Sequence, residues 1–232
     1  MKTSLLFLFF VLAASTGCDS STTEPATPQP AGKGSSFVYT QDEFDADGIQ
    51  TGSSTTSYTI DSMNIALDSR TDVMRAIAST DTMLFVRDGS SMLVYREAMQ
   101  LFDTIGLPKR WKQIAKASDT NVVDIGTYTG TTDINGMEAD ITIRDREQYL
   151  GTSTVTVNGK TFEVIAKSFS VQVEVYFAQF GVTATTTVTE IDEYAPELGF
   201  LISMKEIRTT DSQFSPIAPG RTELTLSSYT IK

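Results

Sequence analysis

Residues 154–164 constrain what this chain can fold into more than any other stretch. Val155 and Val157 alternate with Thr154 and Thr156, Asn158-Gly159 follows, and Lys160-Thr161-Phe162-Glu163-Val164 alternates again. Asn-Gly suits a two-residue type I′ turn, because both central residues need positive φ. The segment predicts an antiparallel hairpin, with Val155 and Val157 on one face and Phe162 and Val164 on one face of the partner. The same grammar recurs along the chain. Phe37-Val38-Tyr39-Thr40 leads to a turn at Asp45-Ala46-Asp47-Gly48 and is answered by residues 54–60. Residues 82–86 and 92–95 flank Arg87-Asp88-Gly89-Ser90 as a second hairpin. Val171, Val173, Val175 and Phe177 alternate with Gln172, Glu174 and Tyr176, the pattern of a half-buried strand. A Thr-rich strand at 182–191 and further strands at 200–207 and 223–231 complete the run. Leu107 to Ser118 predicts either a short helix after Pro108 or a strand led by Trp111 and Ile114. Hairpins without βαβ spacing predict an all-β, or β-dominated α+β, fold: a curved antiparallel meander, a half-barrel or an open barrel.

Ahead of these strands lie two segments of another kind. Lys2 precedes the apolar run Leu5 to Ala14, which is too short to span a bilayer and reads as an export signal. Residues 19–36 are rich in Ser, Thr, Pro, Gly and Ala and hold no bulky apolar residue, so they predict a flexible tether. The expected organisation is therefore a signal peptide over 1–17, a modified Cys18 with its tether over 18–36, and one antiparallel β-rich domain over 37–232.

Two resemblances add to this reading. Ser15-Thr16-Gly17-Cys18 resembles the lipobox of bacterial lipoproteins, with Ser15 where a Leu is usual. It implies that Ser15, Thr16 and Gly17 are recognised by a signal peptidase and that Cys18, the chain's one cysteine, carries diacylglyceryl and acyl groups. Two or three acyl chains anchor stably where one binds marginally. Val155 to Val164, then Glu193-Tyr194-Ala195-Pro196-Glu197-Leu198-Gly199-Phe200-Leu201 and a final Ser228-Tyr229, resemble a pattern in uncharacterised exported bacterial lipoproteins. Tyr194 stands where many of those have Trp. Such proteins look like the open antiparallel barrels of periplasmic lipoprotein-localisation carriers, whose concave face can hold acyl chains. The implication is architectural and brings no catalytic residue with it.

Composition narrows the chemistry. The chain has no histidine, so Ser-His-Asp triads, Cys-His pairs and HExxH zinc sites are excluded. With 18 Lys and Arg against 29 Asp and Glu, it also lacks the basic surface that nucleic acid requires. No metal and no cofactor are expected. Glu43-Phe44-Asp45-Ala46-Asp47-Gly48 has the alternating acids of a calcium loop, but Glu43 opens it and Ser54 stands where a bidentate Glu belongs, so a hairpin turn is expected. Asp140 to Glu147 predicts a strand with an ionic outer face, or alternatively a catalytic carboxylate pair. Lys109, Arg110, Lys112 and Lys116 surround Trp111, as solvated cations around a packed ring or as a patch for anionic headgroups. Asp61-Ser62-Met63, Asp81-Thr82-Met83 and Asp103-Thr104-Ile105 resemble O-glycosylation acceptors of some Gram-negative phyla. Met63, Met74, Met83, Met92 and Met99 suggest either an adaptable apolar lining or ordinary core.

The sequence thus leads to a lipid-anchored, non-catalytic cell-envelope protein, with the outer membrane favoured, that binds an apolar ligand or an envelope partner through its β domain. The alternative is an envelope hydrolase acting on glycans through two carboxylates, one of them shielded from water.

Overall fold

The computed structural model describes residues 30–79, 81–102, 105–134, 136–211 and 218–232, and among them no helix forms. The strands are β1 (Ser36–Phe44), β2 (Gln50–Leu67), β3 (Arg70–Ile77), β4 (Thr82–Asp88), β5 (Ser91–Arg96), β6 (Met99–Phe102) and β7 (Ile105–Leu107). They continue as β8 (Arg110–Ile114), β9 (Val122–Ile134), β10 (Met137–Val157), β11 (Lys160–Phe177), β12 (Val182–Ala195), β13 (Phe200–Thr210) and β14 (Gly220–Thr230). Twelve of them form one antiparallel sheet in the order β8-β5-β4-β3-β2-β1-β14-β13-β12-β11-β10-β9. Of the curved meander, half-barrel and open barrel that the sequence leaves open, the half-barrel is the architecture observed.

Chain connectivity requires the curl. β8 and β9 are consecutive, yet they occupy opposite edges of the sheet. Twelve strands laid flat would separate those edges by about 50 Å at ~4.8 Å per strand. The linker from Ile114 to Val122 reaches about 28 Å at most when fully extended. The sheet therefore has to bend until its edges approach, and strongly twisted sheets of this width do curl.

Local chemistry sets the strands. Asn158 and Gly159 both have positive φ, 51° and 78°, as the type I′ turn requires. Val155, Val157, Phe162 and Val164 then join one core cluster, with the Phe162 ring edge-on to Tyr229 at 5.7 Å. Strands 160–164 and 170–177 prove to be one continuous β11, paired along β10 with a bulge between Tyr149 and Gly151. Residues 107–118 resolve in favour of the strand, and the short helix does not form.

Where β1, β4 and β13 meet, the core is aromatic. Phe37 and Phe200 stack at 4.0 Å and 14°, Phe85 meets Phe200 edge-on at 5.3 Å, and all three are fully buried. Burying each ring stabilises the fold by about 2–3 kcal/mol. A second cluster joins Ile105 and Leu107 to Ile141, Ile143, Val171, Val173 and Val175. Here the β6–β7 ribbon lies over β10 and β11 on the concave face. Its two strands approach so closely that a Cβ on Gly106 would come within 2.3 Å of the Met99 carbonyl oxygen.

Candidate functional site

Strand periodicity decides which side chains enter the trough between the arms. Arg110, Lys112 and Ile114 project inward from β8, while Trp111 turns outward against Tyr95 at 5.0 Å, with Arg70 over its ring at 5.5 Å. On β12 the same alternation places Glu190, Asp192 and Tyr194 on one face. The curl then brings β8 across β10, β11 and β12. Arg110 makes a bidentate contact with Asp145 at 3.0 and 3.1 Å and reaches Glu147 at 2.5 Å. Lys167 donates to Glu147 at 2.5 Å and to the Gln113 carbonyl at 2.7 Å. Lys112 donates to Glu190, lies 4.0 Å from Asp192, and sits 4.5 Å from the centre of the Phe169 ring.

These contacts correct two readings of the sequence. The four cations around Trp111 do not form one patch. Alternation sends Arg110 and Lys112 inward, Lys109 pairs with Asp68 at 3.0 Å, and Lys116 pairs with Glu163. The strand 140–147 carries an ionic outer face only in part. Arg144 meets Glu174 and Arg146 meets Asp124 outside, whereas Asp145 is fully buried and Glu147 faces the trough. The acidic turn behaves as a hairpin turn, with Asp45 Oδ1 accepting from the amides of Asp47 at 3.0 Å and Ile49 at 2.9 Å. Among the described residues no group of three or more acids or cysteines is placed to hold a metal ion.

Beside the Lys112 contacts opens a cavity of about 500 Å³. Its apolar walls include Met83, Val94, Leu101, Val173, Leu201 and Met204, and its polar lining includes Arg96, Lys112, Glu190, Asp192 and Arg208. Of the methionines singled out above, Met83 and Met99 line it, Met74 and Met92 belong to the aromatic core, and Met63 is exposed. The second hydroxyl of the glycosylation-like motifs, Thr82, is exposed and also at the cavity. Ser62 accepts from Arg75 at 3.2 Å, and Asp103-Thr104 lies outside the described residues.

Electrostatics differ sharply between the two β12 acids. Burial pushes Asp192 up to about 7, the nearby Glu190 charge adds to this, and Lys112 opposes it. Burial also raises Glu190, but Lys112, Arg96 and Arg110 outweigh it and hold the carboxyl below its ordinary value. Tyr39, fully buried and donating to the Leu201 carbonyl at 2.7 Å, is raised well above the usual phenol by burial, then by Tyr58 and Asp192.

The site was only half visible in the sequence. Glu190 falls within the expected Thr-rich strand 182–191, Asp192 lies one residue past its expected end, and neither sequence reading of Lys112, as a solvated cation or as part of a headgroup patch, turns it inward. The local clue is their spacing of two on a strand face that ends in Tyr194. Cys18 and the recognition residues Ser15, Thr16 and Gly17 lie outside the described residues.

Fold and site together define a class of antiparallel β protein, curled around a cavity that is apolar along its walls and charged at one side. No protein-family model matches the chain, and no curated protein matches it. Two solved structures are similar in fold. One is a candidate lipoprotein from Parabacteroides distasonis ATCC 8503, at 12% identity and a TM-score of 0.43, covering 87% of this chain and 97% of that one. The other is a candidate exported protein with YmcC-like fold from Bacteroides fragilis NCTC 9343, at 12% identity and a TM-score of 0.34, with the same coverages of 87% and 97%.

Proposed function

We propose that this is a lipid-anchored bacterial envelope protein, held by Cys18 at the outer membrane, that binds a small apolar ligand inside its half-barrel. The cavity between the arms carries the ligand reading. At about 500 Å³ it falls in the range that encloses drug-sized molecules, and its walls are largely apolar with a few convergent polar groups. The anchor follows from the Ser15-Thr16-Gly17-Cys18 sequence and the Ser/Thr/Pro-rich segment after it. Intact mass of protein extracted from membranes should match residues 18–232 plus diacylglyceryl and acyl groups; an unmodified mass removes the anchor. The neutral fluorophore N-phenyl-1-naphthylamine should bind the mature chain with one site, and Val173→Trp should abolish binding by filling the cavity. No fluorescence gain in the unsubstituted chain removes the ligand reading.

One observation favours the hydrolase as a second reading. Glu190 and Asp192 line the same cavity, the first side chain 41% exposed and the second 7%. Lys112 Nζ donates to Glu190 and lies 4.0 Å from Asp192, so both carboxyl groups face one ammonium and are as close as the paired carboxylates that cleave glycosides. Turnover of aryl glycosides that Asp192→Asn eliminates is the result this reading requires.

A further inference from the structure

The cavity holds a carboxylate that the fold leaves incomplete. Asp192 is 5% exposed, and among the described residues its side chain has no hydrogen-bond partner. Its ion contact is Lys112 Nζ at 4.0 Å, and that ammonium donates to Glu190 instead. A buried acceptor with no donor costs about 1–3 kcal/mol, more when charged. The charges lining the cavity are Asp81, Glu190, Asp192 and Glu206 against Arg96, Lys112 and Arg208, one cation short. Outside it, Arg110 and Lys167 are matched by Asp145 and Glu147 and supply none to spare. Of the two arginines in the lining, Arg208 Nε lies 3.6 Å from Glu206 and makes no hydrogen bond, and Arg96 acts on Glu190 through its charge, so their positive charges are already set against those two carboxylates.

Building on the apolar-ligand reading, we propose that the cavity takes an amphiphile bearing one protonated amine. Its ammonium donates to Asp192, and its hydrocarbon lies among Met83, Val94, Leu101, Val173 and Leu201. The ligand supplies both things missing at once, a hydrogen-bond donor and the absent positive charge. Without it a proton takes that place, because burial holds Asp192 near 7. The groups facing Asp192 are Lys112 from β8, Glu190 on its own strand and Tyr39 from β1, with Lys167 of β11 directly opposite in the ladder. Of these, Asp192 is the one held close to neutrality, so amine binding near pH 7 displaces about half a proton.

The test is titration calorimetry on the mature chain that cleavage after Gly17 leaves, carrying Cys18→Ser so that no acyl group competes. Decylamine, decanol and decanoate are compared in buffers of different ionisation enthalpy. Decylamine should bind about ten- to a hundredfold tighter than decanol, the worth of a hydrogen bond to a charged group. It should release protons at pH 7, and few at pH 9. Asp192→Asn should bring decylamine to within about twofold of decanol while leaving decanol unchanged, which shows that the cavity is intact. Equal affinity for all three probes, or decylamine binding without proton release, overturns the amine proposal and spares the apolar-ligand reading. Failure of every probe, decanol included, overturns both.

Discussion

Two regions of the concave face hold the same sheet in its curl by opposite means. At one, Phe37, Phe85 and Phe200 pack ring on ring with no polar atom among them. At the other, Arg110 and Lys112 reach across to Asp145, Glu147 and Glu190, and Lys167 reaches back to the Gln113 carbonyl. The aromatic closure is non-directional and gains free energy from every ring it buries. The ionic closure has to recover the cost of desolvating its charges, so its net contribution is small while its geometric demand is strict. The aromatic region therefore supplies stability. The ionic region fixes where β8 lies over β10–β12, which also sets the cavity's shape. The candidate site sits on the region that contributes less stability.

The largest difference between the regions should come from truncation. Phe200→Ala removes a fully buried ring with two ring partners and should cost about 3–5 kcal/mol, read from the midpoint of urea unfolding. A loss below 1 kcal/mol would mean that the rings do not close the sheet. Asp145→Ala should cost about 3 kcal/mol, because it strands the Arg110 guanidinium, whose side chain is 15% exposed, beside Glu147 alone. The contrast sharpens in the double variant Arg110→Met with Asp145→Leu. It should regain most of that loss, since an apolar pair of similar volume replaces a buried ion pair at little net cost. No apolar pair of smaller rings rescues Phe200→Ala in the same way, because the cavity remains.

How much of this was legible before the structure divides along the same line. The hairpin at Asn158-Gly159 was readable because a type I′ turn is written in two adjacent residues and its flanking faces in period-2 alternation. The Tyr194 to Phe200 segment was likewise readable: Gly199 has φ of 71° and the chain re-enters the sheet at Phe200. β9 was missed because as an edge strand it leaves Val122, Val123 and Ile125 exposed, so no buried face marks it. β6 and β7 are four and three residues long, too short for any periodicity to register. The ionic site was illegible for a different reason. Lys112 and Glu190 are 78 residues apart, and nothing near either one says that the curl will join them. An inward Lys and an outward Lys look alike until the register of the strand is known.

Solution pH should separate the two regions by a smaller amount for each pH unit. The Asp192 carboxyl is held near 7 in the folded chain against about 3.9 for an unperturbed Asp. Between those values the folded state binds the proton that the unfolded state has released. Stability from this group is therefore greatest below the lower value, falls as pH rises through the window, and is level above about 7. The slope is at most about 1.4 kcal/mol per pH unit. Asp192→Asn should remove that component, so the difference in urea midpoint between the two proteins should change steadily from pH 4 to 7 and then flatten. Phe200→Ala should shift the whole curve down without changing its shape. A difference curve for Asp192→Asn that is flat throughout would place the titration elsewhere.

The smallest effect belongs to ion pairs outside both regions. Arg70 and Asp72 lie 3.3 Å apart on β3, with side chains 31% and 57% exposed. Solvent screens such a pair, and holding two mobile side chains together costs entropy, so exposed pairs contribute about 0–1 kcal/mol. Asp72→Asn should lower stability by about 0.5 kcal/mol or less, and 0.5 M salt should erase the difference. The Arg110–Asp145 contact is shielded from that salt, and the loss in Asp145→Ala should persist at the same concentration. If salt weakened both variants alike, the β8 contacts would be a surface feature, and the ionic region would have no part in shaping the cavity.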